Sequence, residues 1–205
     1  ATEKLAEREH ILISAETLRA YFTKWELWKP KKLKDTLTNR TWRPRRAQEG
    51  ELVQFDGSYH DWFGDGVERC LLAAIDDATG APIQLLFEDH EGVLPVFRFW
   101  KSYVEIHGKP IAVYHDRFST YRVNTREIRD DEDVRTQFVR ALQALGIDSI
   151  AANSPQAKGR VERLFGTLQD RLVKEFLLCN ITTVGAANHF LAETFCAWYR
   201  KRFGV

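Results

Sequence analysis

Three acids in this chain keep company that ordinary surface carboxylates do not. Asp56 interrupts the apolar stretch "LVQFDGS", where a charge is costly unless something compensates it, and Gly57 beside it permits close approach by another group. Asp116 closes the short apolar segment "KPIAVYHD". Glu162 lies within "GRVERLFGTLQDRL". Stepping this helix by about 100° per residue puts Val161, Leu164, Phe165, Leu168 and Leu172 in one stripe. Glu162 falls on the shoulder of that stripe in line with Lys158, Gly166 and Gln169, and Arg160 and Arg163 point to the far side. Two aspartates and a glutamate with no companion histidine or cysteine form an oxygen-only donor set, which suits Mg²⁺, with Mn²⁺ as its substitute. Two such ions clamping the attacking and leaving oxygens of a phosphodiester perform in-line phosphoryl transfer on nucleic acid.

Such acids must be brought together by elements of different kinds. From residue 49, "ELVQFDGSYHDWF", "ERCLLAAIDDATG" and "APIQLLFED" read as three strands of an antiparallel meander. A helix over "VLPVFRFWKSYVEIHG" follows, with Val96, Phe99, Trp100, Tyr103 and Val104 as its buried stripe, Pro95 in its first turn and Gly108 as its C-cap. Then come a fourth strand ending at Asp116, a polar stretch, a helix "VRTQFVRALQALG", a last strand "IDSIAAN", the helix of Glu162, and a final helix "AANHFLAETFCAWYRKRF". This order predicts a mixed sheet flanked by helices, with the first and fourth strands as central neighbours and Asp56 facing Asp116. Whether the Glu162 helix begins before or after Gly159 is open at this stage.

The other candidate acids have simpler readings. Asp76 and Asp77 belong to a turn-rich strand end, and Asp61 and Asp65 to a hairpin loop. Trp62 is expected to pack. His115, directly before Asp116, is placed to tune or hinder a metal site. Three cysteines in no CxxC pair and six scattered histidines exclude a disulfide framework and a zinc site; Cys70, Cys179 and Cys196 read as small apolar fillers.

Residues 2 to 27 read as two helices, the second capped by Ser14, with Leu18, Tyr21, Phe22 and Trp25 as an apolar face and Thr17, Arg19, Ala20 and Lys24 outward, as in part of a helix-turn-helix. Between residues 29 and 46 stand eight Lys or Arg against one Asp, with Trp42 interleaved, which suits a phosphate backbone; Lys31, Lys32, Arg43, Arg45 and Arg46 are the contacts expected there. Net charge is only +1, so this block matters more than the total. The domain reading is a helical segment 1–28, a basic linker 29–48, a core 49–178 and a C-terminal helix 179–205. No apolar run is long enough to span a bilayer and no leader opens the chain, so the expectation is a cytoplasmic fragment of a longer protein, with no membrane partner.

The segments "LVQFDGSYHDWF", "LLAAIDDATG", "VYHDRFSTYRVN", "TQFVRALQALGI" and, most specifically, "ANSPQAKGRVERLFGTLQDRL" resemble the catalytic core of bacterial insertion-sequence transposases of the retroviral-integrase-like DDE superfamily. The resemblance runs in order over residues 49 to 178. It implies an RNase H-like α/β fold, a catalytic and metal-binding triad on Asp56, Asp116 and Glu162, and Mg²⁺-dependent cleavage at transposon ends followed by strand transfer of 3′-hydroxyls into target DNA. It further implies DNA and a homo-multimer as partners, a nucleoid-associated location, a loop "PQAKG" at the active site, and Lys158, with Arg160 and Arg163 near it, on DNA. The chain departs from retroviral integrases in lacking their His/Cys zinc module and in an insert "RVNTREIRDDEDV" that lengthens the interval from Asp116 to Glu162. An RNase H-like nuclease that cleaves without joining, and a catalytically inactive DNA-binding regulator, are the alternatives.

Overall fold

The structure, a computed structural model, describes residues 1–29, 44–115, 130–151 and 159–204, with side chains from residue 137 onward in the helix that begins at Asp130. Two compact units are defined, Ala1–Arg40 and Thr41–Val205.

The first unit contains α1 (Thr2–Glu9) and α2 (Ala15–Lys24). Ser14 caps α2 as its sequence position predicts, its Oγ accepting the Thr17 N–H at 3.0 Å. The apolar face is narrower than predicted. Leu18 is buried, whereas Tyr21 and Trp25 are exposed and stack on each other with ring centroids 5.3 Å apart.

In the second unit β1 (Leu52–His60), β2 (Arg69–Asp76) and β3 (Pro82–Glu88) form the meander. Next come α3 (Val93–His107), β4 (Ala112–His115), α4 (Asp130–Ala144), β5 (Asp148–Ala151) and α5 (Gly159–Leu178). The sheet order is β3-β2-β1-β4-β5, with β1 antiparallel to β2 and parallel to β4, so the predicted central pair is present. Residue α4 begins at is Asp130, not Val134, which makes the "DDED" end of the insert part of the helix. The C-terminal helix is interrupted: α6 (Val184–Phe190) passes through a π-helical turn, Leu191–Phe195, into α7 (Cys196–Phe203). Its wider turn lets Leu191, Phe195 and Tyr199 all enter one core.

Strand alternation splits that core in two. On one face, Leu71, Ala73 and Ile75 of β2 and Leu85 and Phe87 of β3 pack with Val161, Leu164, Phe165, Leu168, Leu172 and Phe176 of α5. On the other, Val53 and Phe55 of β1 pack with Val96, Phe99, Trp100 and Tyr103 of α3 and Phe138 of α4. The result is a helix–sheet–helix sandwich whose α5 stripe and α3 stripe are those read from the sequence, save that Val104 is only partly buried. Trp62 is fully buried and its Nε1 donates to the carbonyls of Arg69 (3.0 Å) and Ser58 (3.3 Å).

Candidate active site

Asp56 belongs to the α5 face of β1. Its cross-strand partner is Ala73, a member of the α5 core, and the alternating neighbours Gln54 and Ser58 share its face. Gly57 donates its N–H to Asp56 Oδ1 at 3.1 Å.

Glu162 lies in the first turn of α5, where its charge complements the helix dipole, and is exposed. Its orientation follows from Gln169, which lies seven residues on and therefore at nearly the same angle around the helix. Gln169 Nε2 donates to Ser58 Oγ at 3.3 Å, so the flank of α5 that carries Glu162 faces β1. The helix direction is fixed at its other end, where Arg160 pairs with Asp77, whose backbone N–H donates to Leu52 O at 2.9 Å. Thus α5 runs along β1 in the same sense. From Gln169 back to Glu162 is about 10 Å of helix, and from Ser58 back to Asp56 about 7 Å of strand, a difference within the reach of a glutamate side chain.

Asp116 lies outside the described residues, as do Lys158, Lys31, Lys32 and Arg43. Asp116 is bonded to His115, the last residue of β4, and β4 pairs with β1 through Gln54 opposite Tyr114. Among the described residues no group of three His, Cys, Asp or Glu forms a metal cluster. Asp56 and Glu162, brought to one side of the sheet with oxygen donors only, fit a hard divalent ion.

Several expectations are corrected. His115 faces away from the Asp56 side: its Nε2 is 2.8 Å from Ser149 Oγ and its ring meets Phe138 edge-on on the α4 face, so it is a core residue at 2% exposure. Turn chemistry accounts for Asp76, whose carboxylate accepts the N–H groups of Thr79 (2.7 Å) and Gly50 (3.0 Å), but not for Asp77. Asp77 is fully buried and takes Gln54 Nε2 at 2.8 Å, the Arg46 N–H at 2.9 Å and Arg160. The Arg160 side chain, 14% exposed, thus reaches from the start of α5 to a buried acid. Arg163 is exposed and turns back to the Gly159 carbonyl at 2.7 Å, and Arg45 donates to Ala78 O at 3.0 Å. Cys179 is exposed, unlike the filler it was expected to be, whereas Cys70 is buried and Cys196 partly so.

Gln54 and Glu91 carry no local sequence signal of their place in the fold, and Asp77 reads there as a turn residue only. Glu91 is buried behind the site: its N–H donates to Tyr59 Oη at 2.8 Å, and its carboxylate fills the space over Gly57. Burial, then the charge of Glu91, push the neighbouring Cys70 thiol up to about 12, and burial raises the Tyr59 phenol. Asp61 and Asp65 do organise the hairpin loop, Asp61 accepting the N–H groups of Asp65 (3.0 Å) and Gly66 (2.9 Å).

This arrangement, a mixed five-stranded sheet of order β3-β2-β1-β4-β5 covered by helices on both faces, is an RNase H-like fold. Among solved structures the chain is similar to the HTLV-2 integrase catalytic core domain in complex with magnesium, in its trimeric form, with TM-score 0.55, 16% identity, and coverage of 78% of this chain and 100% of that one. It is also similar to the simian T-cell lymphotropic virus intasome in complex with the PP2A regulatory subunit B56 gamma, with TM-score 0.58, 18% identity, and coverage of 93% and 67%.

No family model matches the chain. Sequence relatives are closer than the structural ones. The chain is 43% identical over 206 aligned residues to "Putative transposase y4bF" of Sinorhizobium fredii, covering 100% of this chain and 44% of that protein. It is 37% identical over 165 residues to the transposase for insertion sequence IS1202 of Streptococcus pneumoniae, covering 79% and 35%. The chain thus spans less than half the length of these relatives. It is transposase-like in sequence and integrase-core-like in fold, as the motifs around Asp56 and Glu162 imply.

Proposed function

We propose that this chain is the catalytic part of a DNA transposase, holding Mg²⁺ between Asp56, Asp116 and Glu162, cutting transposon ends and joining the exposed 3′-hydroxyls to target DNA. The observation that supports it most is the Gln169–Ser58 contact, which turns the Glu162 flank of α5 toward the strand of Asp56. When bound, the ions supply charge neutralisation of the phosphate and activation of the attacking oxygen. The chain's own residues present two of the carboxylates from regular elements, β1 for Asp56 and α5 for Glu162, and Asp116 follows β4 directly in the sequence. Arg163, Lys158, Lys31, Lys32, Arg43, Arg45 and Arg46 supply cations for the DNA backbone, and α1 and α2 form the helix-turn-helix-like segment ahead of the linker. The relatives named as transposases and the multimeric forms of the integrase cores support a homo-multimer acting on two DNA ends, in the cytoplasm. The described helices include none long and apolar enough to cross a membrane.

The test uses the full-length protein with terminal DNA carrying free 3′-hydroxyls. Joined products dependent on Mg²⁺ are expected, and Asp116→Asn should abolish them while DNA binding remains. Cleavage without joining would favour a nuclease. Cleavage that survives Asp116→Asn would refute the site.

A further inference from the structure

We propose that Asp77 is a positioning residue that sets the separation of Asp56 and Glu162 by tying the strand of one to the helix of the other. This rests on the reading of those two acids as a metal-holding pair. Asp77 follows β2 directly and is fully buried. Its Oδ1 accepts Gln54 Nε2 at 2.8 Å and also Arg160, and its Oδ2 accepts the Arg46 N–H at 2.9 Å. Gln54 precedes Asp56 by two residues on the same face of β1, and Arg160 precedes Glu162 by two residues at the start of α5. A single carboxylate therefore holds both acid-bearing elements, about 7 Å of strand from one acid and about 3 Å of helix rise from the other.

The chemistry suits a fixed joint. Gln54 is 1% exposed and Arg160 14%, so the network is largely shielded from water, where charge-assisted hydrogen bonds are strong and an alternative partner is hard to find. The backbone N–H of Asp77 bonds Leu52 O at 2.9 Å, anchoring the carboxylate to β1 through the main chain as well. Neighbouring Asp76 makes no comparable bridge: its carboxylate holds the backbone of its own turn and Gly50. The helix packing of α5 on β2 fixes its height above the sheet, while sliding along β1 is opposed by Arg160 at one end and Gln169 at the other.

The experiment measures Mn²⁺ affinity by titration calorimetry in the full-length protein, alongside thermal unfolding. Asp56→Asn is the control for the site, Phe176→Leu the control for loss of core packing at the far end of α5. Asp77→Asn and Arg160→Gln are expected to weaken Mn²⁺ binding tenfold or more, Arg160→Lys to recover most of that loss, and Phe176→Leu to lower the melting temperature with affinity unchanged. Asp77→Glu, which keeps the charge but lengthens the tether, should weaken affinity at least threefold and serves if the other variants do not fold. Wild-type affinity in folded Asp77 and Arg160 variants, with loss in Asp56→Asn, would overturn the positioning role alone. Wild-type affinity in Asp56→Asn as well would overturn the metal site and the positioning role together.

Discussion

Replacing Gly57 with alanine places a methyl group where Glu91 already is. An ideal Cβ at Gly57 would stand 2.6 Å from Glu91 Oε2, 2.9 Å from its Cδ and 3.3 Å from Leu72 Cδ2. Glu91 is buried, so its carboxylate has little free space to retreat into. Overpacking of this kind costs about 1–3 kcal/mol, against which alanine gains about 0.5–1 kcal/mol over glycine in a strand. The net expectation is a destabilisation of about 1–2 kcal/mol, read as a lower urea midpoint with an unchanged slope. In a Glu91→Ala background the two shortest contacts are gone, and Gly57→Ala should become neutral or stabilising by up to about 1 kcal/mol. The double-mutant cycle therefore carries a coupling of about 1–3 kcal/mol. An equal effect of Gly57→Ala in both backgrounds, within about 0.5 kcal/mol, would refute the close approach of Glu91 as the reason for glycine here.

Two further outcomes follow from titrating groups. Burial pushes both the Cys70 and Cys196 thiols up to about 12, while Cys179 is exposed, so a disulfide reagent at mildly alkaline pH should modify one thiol per native chain and three only after unfolding; rapid modification of a second thiol would contradict this packing. His107 has its imidazolium disfavoured first by burial and then by Arg200, with Glu49 opposing, so its folded pKa lies below the ordinary 6.5. The folded state then binds fewer protons than the unfolded one, stability is complete above pH 6.5, and it falls as pH drops from there through the lowered value; His107→Gln should flatten the unfolding free energy over that window, and an unchanged slope would refute the assignment.

How much was legible depended on whether the information was periodic. The α5 stripe, the α3 stripe and the three-strand meander all came from apolar spacing, because one buried face imposes its period on the sequence. The position of Asp56 in a strand and of Glu162 beside the stripe was legible for the same reason. Residues that act through non-local partners left no such trace. "IDDATG" presents two adjacent acids of equal turn character, and only the fold shows that one holds its own turn while the other meets Arg160, 83 positions away.

The partner of Arg160 is hidden by the same limitation. Helical angle placed it on the far flank from Glu162, which is correct for the backbone, but angle says nothing about how far a long side chain bends at a helix end. There the first turn has no preceding turn to cover it, so an arginine can fold beneath the helix to a buried acid. His115 shows the converse case. Its adjacency to Asp116 suggested a shared site, yet Tyr114 aligns with Gln54, so His115 takes the face opposite Asp56 and packs against Phe138 and Ser149. Within a strand, then, a residue two positions away is a better guide to a functional neighbour than the one next door. By that rule Gln54 and Ser58 are the residues to examine around Asp56, and both are joined to α5, Gln54 through Asp77 and Arg160 and Ser58 through Gln169.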